Sequence, residues 1–109
     1  MNLDYPIEIS GVAYVSNNIL SGAGWLKWCI RDNPQDESDT GWTFLSEIDD
    51  DNFCSKSENF SIVPYIKVIE IEPIVLYIYQ MPVGTDMQLV IEKGKRYFAD
   101  NETGKEIPI

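Results

Sequence analysis

Histidine is absent from this chain of 109 residues. Its absence excludes Ser–His and Cys–His nucleophiles, His-ligated zinc and the usual proton-transfer group near neutral pH. Cysteine is scarce. Cys29 and Cys54 are too few for a disulfide framework, and without histidine they cannot complete a structural zinc site. Met1–Ser10 has no basic region followed by an apolar run, so no secretory signal is expected, and free thiols in a reducing cytosol are. Long apolar runs are missing too. The longest, Pro73–Val83, is interrupted and too short to cross a bilayer. A cytoplasmic protein is therefore expected.

Positive charge is also in short supply, with 8 basic side chains against 18 acidic ones and a net charge of −10. Phosphate backbones would repel such a surface, which argues against nucleic-acid binding. Anionic membranes are disfavoured for the same reason. A basic protein would be attracted, and a strong field speeds encounter. Solubility alone is the competing explanation of the charge.

What the chain does have is core material. An apolar share of 44% and thirteen aromatics fit one packed domain over residues 1–109, not a disordered acidic tail. A chain of this length buries roughly two-thirds of the surface its unfolded form exposes. The pattern predicts an α+β fold: a mostly antiparallel sheet, a few short helices and a C-terminal β-meander.

Val12–Ser16 is a strand, and Asn17 and Asn18 are placed to cap one helical turn ending at Leu20. Ser21-Gly22-Ala23-Gly24 reads as a tight connection, since a phosphate loop would need Gly-Lys-Ser/Thr to follow. In the strand Trp25–Arg31, alternation puts Leu26, Trp28 and Ile30 on a core face. Trp25, Lys27, Cys29 and Arg31 then share the other face, where two cations beside Cys29 would favour its thiolate. An inert thiol is the stronger reading.

The polar stretch 32–40 reads as an exposed loop. It leads to a strand Trp42–Ser46 with Trp42 and Phe44 on one face and Thr43 and Leu45 on the other. Asp49-Asp50-Asp51 suits the start of a short helix reaching about Ser55, because acidic groups favour a helix N-terminus. Ser61–Val63 reads as a strand. Prolines at 64 and 73 suggest two short helical segments, about 65–71 and 74–80, although the Ile, Val and Tyr content would also suit a β-rich run. From Met87 the alternation is clean: a strand, a turn at Lys93-Gly94, a return strand Arg96–Ala99, a turn at 101–104 and an edge strand Lys105–Ile107.

Chemistry-bearing motifs are few. The three aspartates lack the alternation and glycine of a calcium loop, and Gly94-Lys95 and Gly104-Lys105 lack the upstream glycine of a nucleotide-binding loop. Carboxylate pairs suited to glycoside hydrolysis prove nothing in so acidic a chain. No enzyme, cofactor or metal site is expected.

One stretch is more specific. Asp39-Thr40-Gly41-Trp42-Thr43-Phe44-Leu45-Ser46, with the acidic run Asp49–Asp51, Phe53 and Asn59 after it, resembles the immunity-protein-33-like domain family of bacteria. Ala13–Ser16, Trp28, Arg31, Asp32, Pro73 and Pro82–Thr85 extend the resemblance over about residues 12–86. Thr40 stands where Ser is usual, Glu47 where Gly is expected and Phe53 where Tyr is.

The resemblance implies a cytosolic partner that protects a cell by binding a cognate toxin, and the charge suits a basic toxin. Trp42 and Phe53, flanked by Glu47, Asp49, Asp50 and Asp51, would then form an anchor-and-charge patch. Trp42 reads better as a core residue, and the aspartates read equally as contacts or as a solvated helix start. The alternative function is a module that binds a small molecule or a housekeeping protein, with an apolar pocket lined by Trp25 or Trp28.

Overall fold

The strand that carries Trp42 and Phe44 is built around a glycine. The computed structural model describes residues 8–109, so the signal-sequence reading of the first residues lies largely outside the described part. Among the described residues, seven strands form one sheet in the order β4-β1-β3-β2-β5-β6-β7. They are β1 (Val12–Ser16), β2 (Leu26–Arg31), β3 (Asp39–Ser46), β4 (Phe60–Pro64), β5 (Asp86–Glu92), β6 (Lys95–Asp100) and β7 (Glu106–Ile107). The sheet is antiparallel except where β3 slots between β2 and β1 and runs parallel to β1. That parallel pair does not show in the linear sequence, because it depends on which strands become neighbours.

β3 begins earlier than its aromatic alternation suggests. Between Val12↔Asp39 and Tyr14↔Thr43 it carries two more residues than β1, and Gly41 sits in that irregularity. Its φ of +84° is in the left-handed region, and an added Cβ would lie 2.1 Å from the Asp32 carbonyl oxygen. Only glycine fits both demands. The bulge lets Thr40 Oγ1 donate to Val12 O at 2.8 Å while Trp42 and Phe44 turn inward, stacked with ring centroids 5.8 Å apart.

A second irregularity corrects the reading of β2. Leu26 pairs with Ser46 but Trp28 pairs with Leu45, so β2 carries one extra residue there. A bulge of this kind shifts the alternation by one. Leu26 is in the core, yet Cys29 follows it there, facing inward with Phe44 and Met87. Trp28 and Ile30 turn to the opposite face and are only half-buried.

Three short α-helices among the described residues accompany the sheet: α1 (Asn17–Leu20), α2 (Asp51–Cys54) and α3 (Tyr65–Ile71). Ser16, not an asparagine, caps α1, its side chain accepting from Asn18 N. Helical structure wins over 65–78 despite the β-prone composition. Pro64 ends β4 at the N-cap position of α3, and Pro73 opens a 3₁₀ helix, Pro73–Ile78, where the fixed φ of proline suits a first helical turn. Tyr65, Val68 and Ile69 recur at helical spacing and, with Val75 and Ile78, cover one face of the sheet. Tyr65 Oη donates to Val75 O at 2.6 Å, tying the two helices together.

The C-terminal meander forms as its alternation suggests. Lys93 (φ 51°) and Gly94 (φ 79°) make the two-residue turn joining β5 to β6, a conformation that matches strand twist. No helix among the described residues is long and apolar enough to cross a membrane.

Replacing Gly41 by Ala forces a left-handed Ala and pushes Asp32 aside. It should cost about 2–4 kcal/mol, read as a lower midpoint in urea unfolding with an unchanged slope. An unchanged midpoint would show that the bulge relaxes freely.

Candidate functional site

The helical layer covers only one face of the sheet. On the other, Trp28, Ile30 and Leu45 are half-buried, and α2 leans over part of that face, with Phe53 6.0 Å from Phe60 between ring centroids. Phe60 in turn stacks on Tyr14 at 4.6 Å. Between α2 and the sheet lies a groove of about 270 Å³. Trp28, Ile30 and Leu45 line it together with Asp49, Asp51 and Asp86.

The six residues singled out from the sequence have different roles. Trp42 is 1% exposed. Its indole N–H donates to Tyr79 O at 3.2 Å, and the Arg31 guanidinium lies 5.9 Å from its ring. It is a core residue and presents no surface to a partner, which corrects its place in the patch. Glu47 accepts the Trp25 N–H through both carboxylate oxygens, at 3.3 and 3.0 Å. It thereby fastens the chain entering β2 to the end of β3.

Asp49 is equally committed. Oδ1 accepts from Asn18 Nδ2 and Ser46 Oγ, and Oδ2 from Ser46 N, each at 2.7 Å. Burial alone would raise its carboxyl, but hydrogen bonds from Ser16, Asn18 and Ser46 prevail and hold it below the ordinary carboxylate value. Asp50 is the N-cap of α2, accepting from Phe53 N at 2.8 Å. Asp51, in the first turn of α2, is exposed and joins none of the described ion pairs. Phe53 is half-buried against Phe60. Three of the four acidic residues therefore hold backbone in place, and Asp51 is the one left free.

Sequence reading missed Asp86 and the outward turn of Trp28. β5 pairs with β2, bringing Asp86 opposite Ile30 and Gln88 opposite Trp28. No short-range signal predicts that neighbourhood. Asp86 Oδ1 accepts from Asn101 Nδ2 at 2.6 Å, and Asn101 Oδ1 accepts from Gln88 Nε2 at 2.9 Å.

Neither thiol is activated. Both are free. Burial pushes the Cys29 thiol far above its ordinary value, so Lys27 and Arg31 do not make it reactive. Cys54 is raised by desolvation and then by Asp49, Asp51 and Asp50. No three His, Cys, Asp or Glu side chains gather to hold a metal among the described residues.

A larger concavity, about 540 Å³, lies on the helical side and is lined by Ile69, Pro73, Ile74, Leu76 and Tyr77, with Glu70 and Arg96. Neither Trp25 nor Trp28 lines it. Arg96 forms an ion pair with Glu72.

These features define a class: an α+β protein with helices over one face of a mixed sheet and a carboxylate-edged groove on the other. The family model described as the immunity protein Imm33 domain matches residues 13–100, and the chain belongs to that family. The match runs past Asp86 through β5 and β6, so most of the meander is part of the family domain. No curated protein and no solved structure matches the chain.

Two outcomes follow. Asp49→Asn should cost about 1–3 kcal/mol at pH 7, because charged acceptors make the stronger hydrogen bonds. A depressed folded-state value gives stability that is present above the unfolded value, near pH 4, and is lost as pH falls through the folded value. The gap between wild type and variant in urea unfolding should therefore close below about pH 4; a gap independent of pH would refute the ionic role. A disulfide reagent should titrate Cys54 slowly in the native protein and Cys29 only after unfolding, and rapid reaction of both native thiols would contradict the buried placement.

Proposed function

We propose that the protein is a toxin-neutralising immunity protein that binds one basic protein partner stoichiometrically, without turnover. The observation that carries this reading is the family match across residues 13–100. The net charge of −10 supports a basic partner, since opposite fields speed encounter and suppress wrong partners. The partner-facing surface is the acidic end around α2. Asp51 and Phe53 are the contacts, Asp50 adds charge beside them, and Glu47 and Asp49 add charge while holding the frame.

Capture on immobilised protein at low and high salt tests this. The expected result is a basic protein, lost at high salt, that arrests growth when expressed alone and is harmless when this chain is co-expressed. A captured protein with no toxicity, or toxicity that co-expression leaves intact, would sink the reading. Neutralising all three aspartates together would confound the result, because Asp49 and Asp50 support the fold.

The apolar groove of about 540 Å³ favours a second reading, a module for a small apolar molecule, because its size lies within the usual range for such pockets. That binding would be insensitive to salt.

A further inference from the structure

The groove on the open face has a chemistry more specific than general acidity. Its floor is aromatic and aliphatic, from Trp28, Ile30 and Leu45, and its walls carry carboxylates from opposite sides, Asp49 and Asp51 on one and Asp86 on the other. No lysine or arginine lines it. At about 270 Å³ it is below the roughly 300–1,000 Å³ typical of pockets for small molecules. It has the scale of one long side chain.

The tryptophan adds an independent observation. The Lys27 ammonium lies 5.1 Å from the Trp28 ring centroid, so this ring already holds a cation from its own chain. A π-face attracts cations, guanidinium above all, because a planar group can stack on the ring while its N–H groups reach carboxylates. Asp51 supplies such a carboxylate at the wall, and so does Asp86 through Oδ2, since its Oδ1 accepts from Asn101.

We propose that this groove receives an arginine side chain presented by the basic partner, its guanidinium stacked on Trp28 between Asp51 and Asp86. The assignment rests on the immunity reading for the identity of the partner, though not for the chemistry of the groove. Lys27 touches the ring from outside the groove, where its charge repels a second cation brought to Trp28.

Two measurements test the proposal separately from that reading. In the first, N-acetyl-arginine amide is titrated into the isotope-labelled protein and followed by NMR, beside its neutral citrulline counterpart. The arginine probe should shift the Trp28 indole N–H and the amides of Asp51, Cys54 and Asp86, and citrulline should not. Asp51→Asn with Asp86→Asn should weaken that binding about tenfold, and Lys27→Ala should strengthen it about twofold or more. Equal shifts from citrulline, or shifts centred elsewhere, would overturn the groove.

In the second, the affinity of a captured, neutralised toxin is compared between wild type and Asp86→Lys, with the melting temperature of each measured beside it because the change also removes the hydrogen bond from Asn101. A loss of about tenfold or more supports the site. Neutralisation with unchanged affinity would overturn the groove and leave the immunity function standing. Arginine seated at Trp28 in a protein that protects against no toxin would support the groove and remove that function.

Discussion

The close approach of the Asp32 carbonyl to the α-carbon of Gly41 is the constraint on which the rest of the structure depends. A side chain there would occupy the space of the oxygen itself. With glycine, Asp32 N also donates to Gly41 O at 2.9 Å, and the loop before β3 closes onto its own strand. The resulting bulge sets the inward turn of Trp42 and Phe44. It also leaves the Thr40 carbonyl free to accept from Arg31 Nε at 2.9 Å. Arg31 then reaches Met81 O through Nη1 at 2.6 Å, and its backbone exchanges hydrogen bonds with Thr85 and Gly84. One glycine thereby helps register the turn at Pro82–Thr85 against the middle of the sheet.

The motif that marks the family is, on this geometry, a description of scaffold. Gly41 permits the bulge, Trp42 and Phe44 fill the core, and Ser46 binds Asp49 through both its hydroxyl and its amide. Buried polar groups of this kind need full satisfaction, because an orphaned donor costs more than the bond contributes net. A partner-binding surface has no such obligation. It follows that the residues carrying the family resemblance and those meeting a partner need not be the same.

Acidity is divided in the same way. Glu47, Asp49 and Asp50 spend their carboxylates on backbone amides, whereas at the wall of the open groove Asp51 is untied and Asp86 is held through one oxygen by the Asn101 side chain. All contribute to the field that any distant cation would meet, because long-range attraction depends on net charge. At contact, desolvation and geometry decide, and carboxylates already engaged in hydrogen bonds offer less. Because the helical layer covers one face only, the opposite face retains half-exposed Trp28 and Ile30 beside these charges.

Local physics made much of the fold legible in the sequence. Trp42 and Phe44 alternate with Thr43 and Leu45, two prolines bound the helical segments, and Lys93-Gly94 closes a hairpin; each signal lies within a few residues of its effect. Net charge, too, is a property of the sequence itself. The faces of Cys29 and Trp28 were decided only in the tertiary structure, because the bulge beside them exists in the register between β2 and β3. The pairing of β5 with β2 likewise brought Asp86 to the groove that Asp51 edges. Which carboxylates are tied and which are free depended in part on amides contributed by distant elements, such as the Trp25 backbone for Glu47 and the Asn18 side chain for Asp49. Composition fixes how much charge the protein carries, and only the packing of strands determines which of it is available to another molecule.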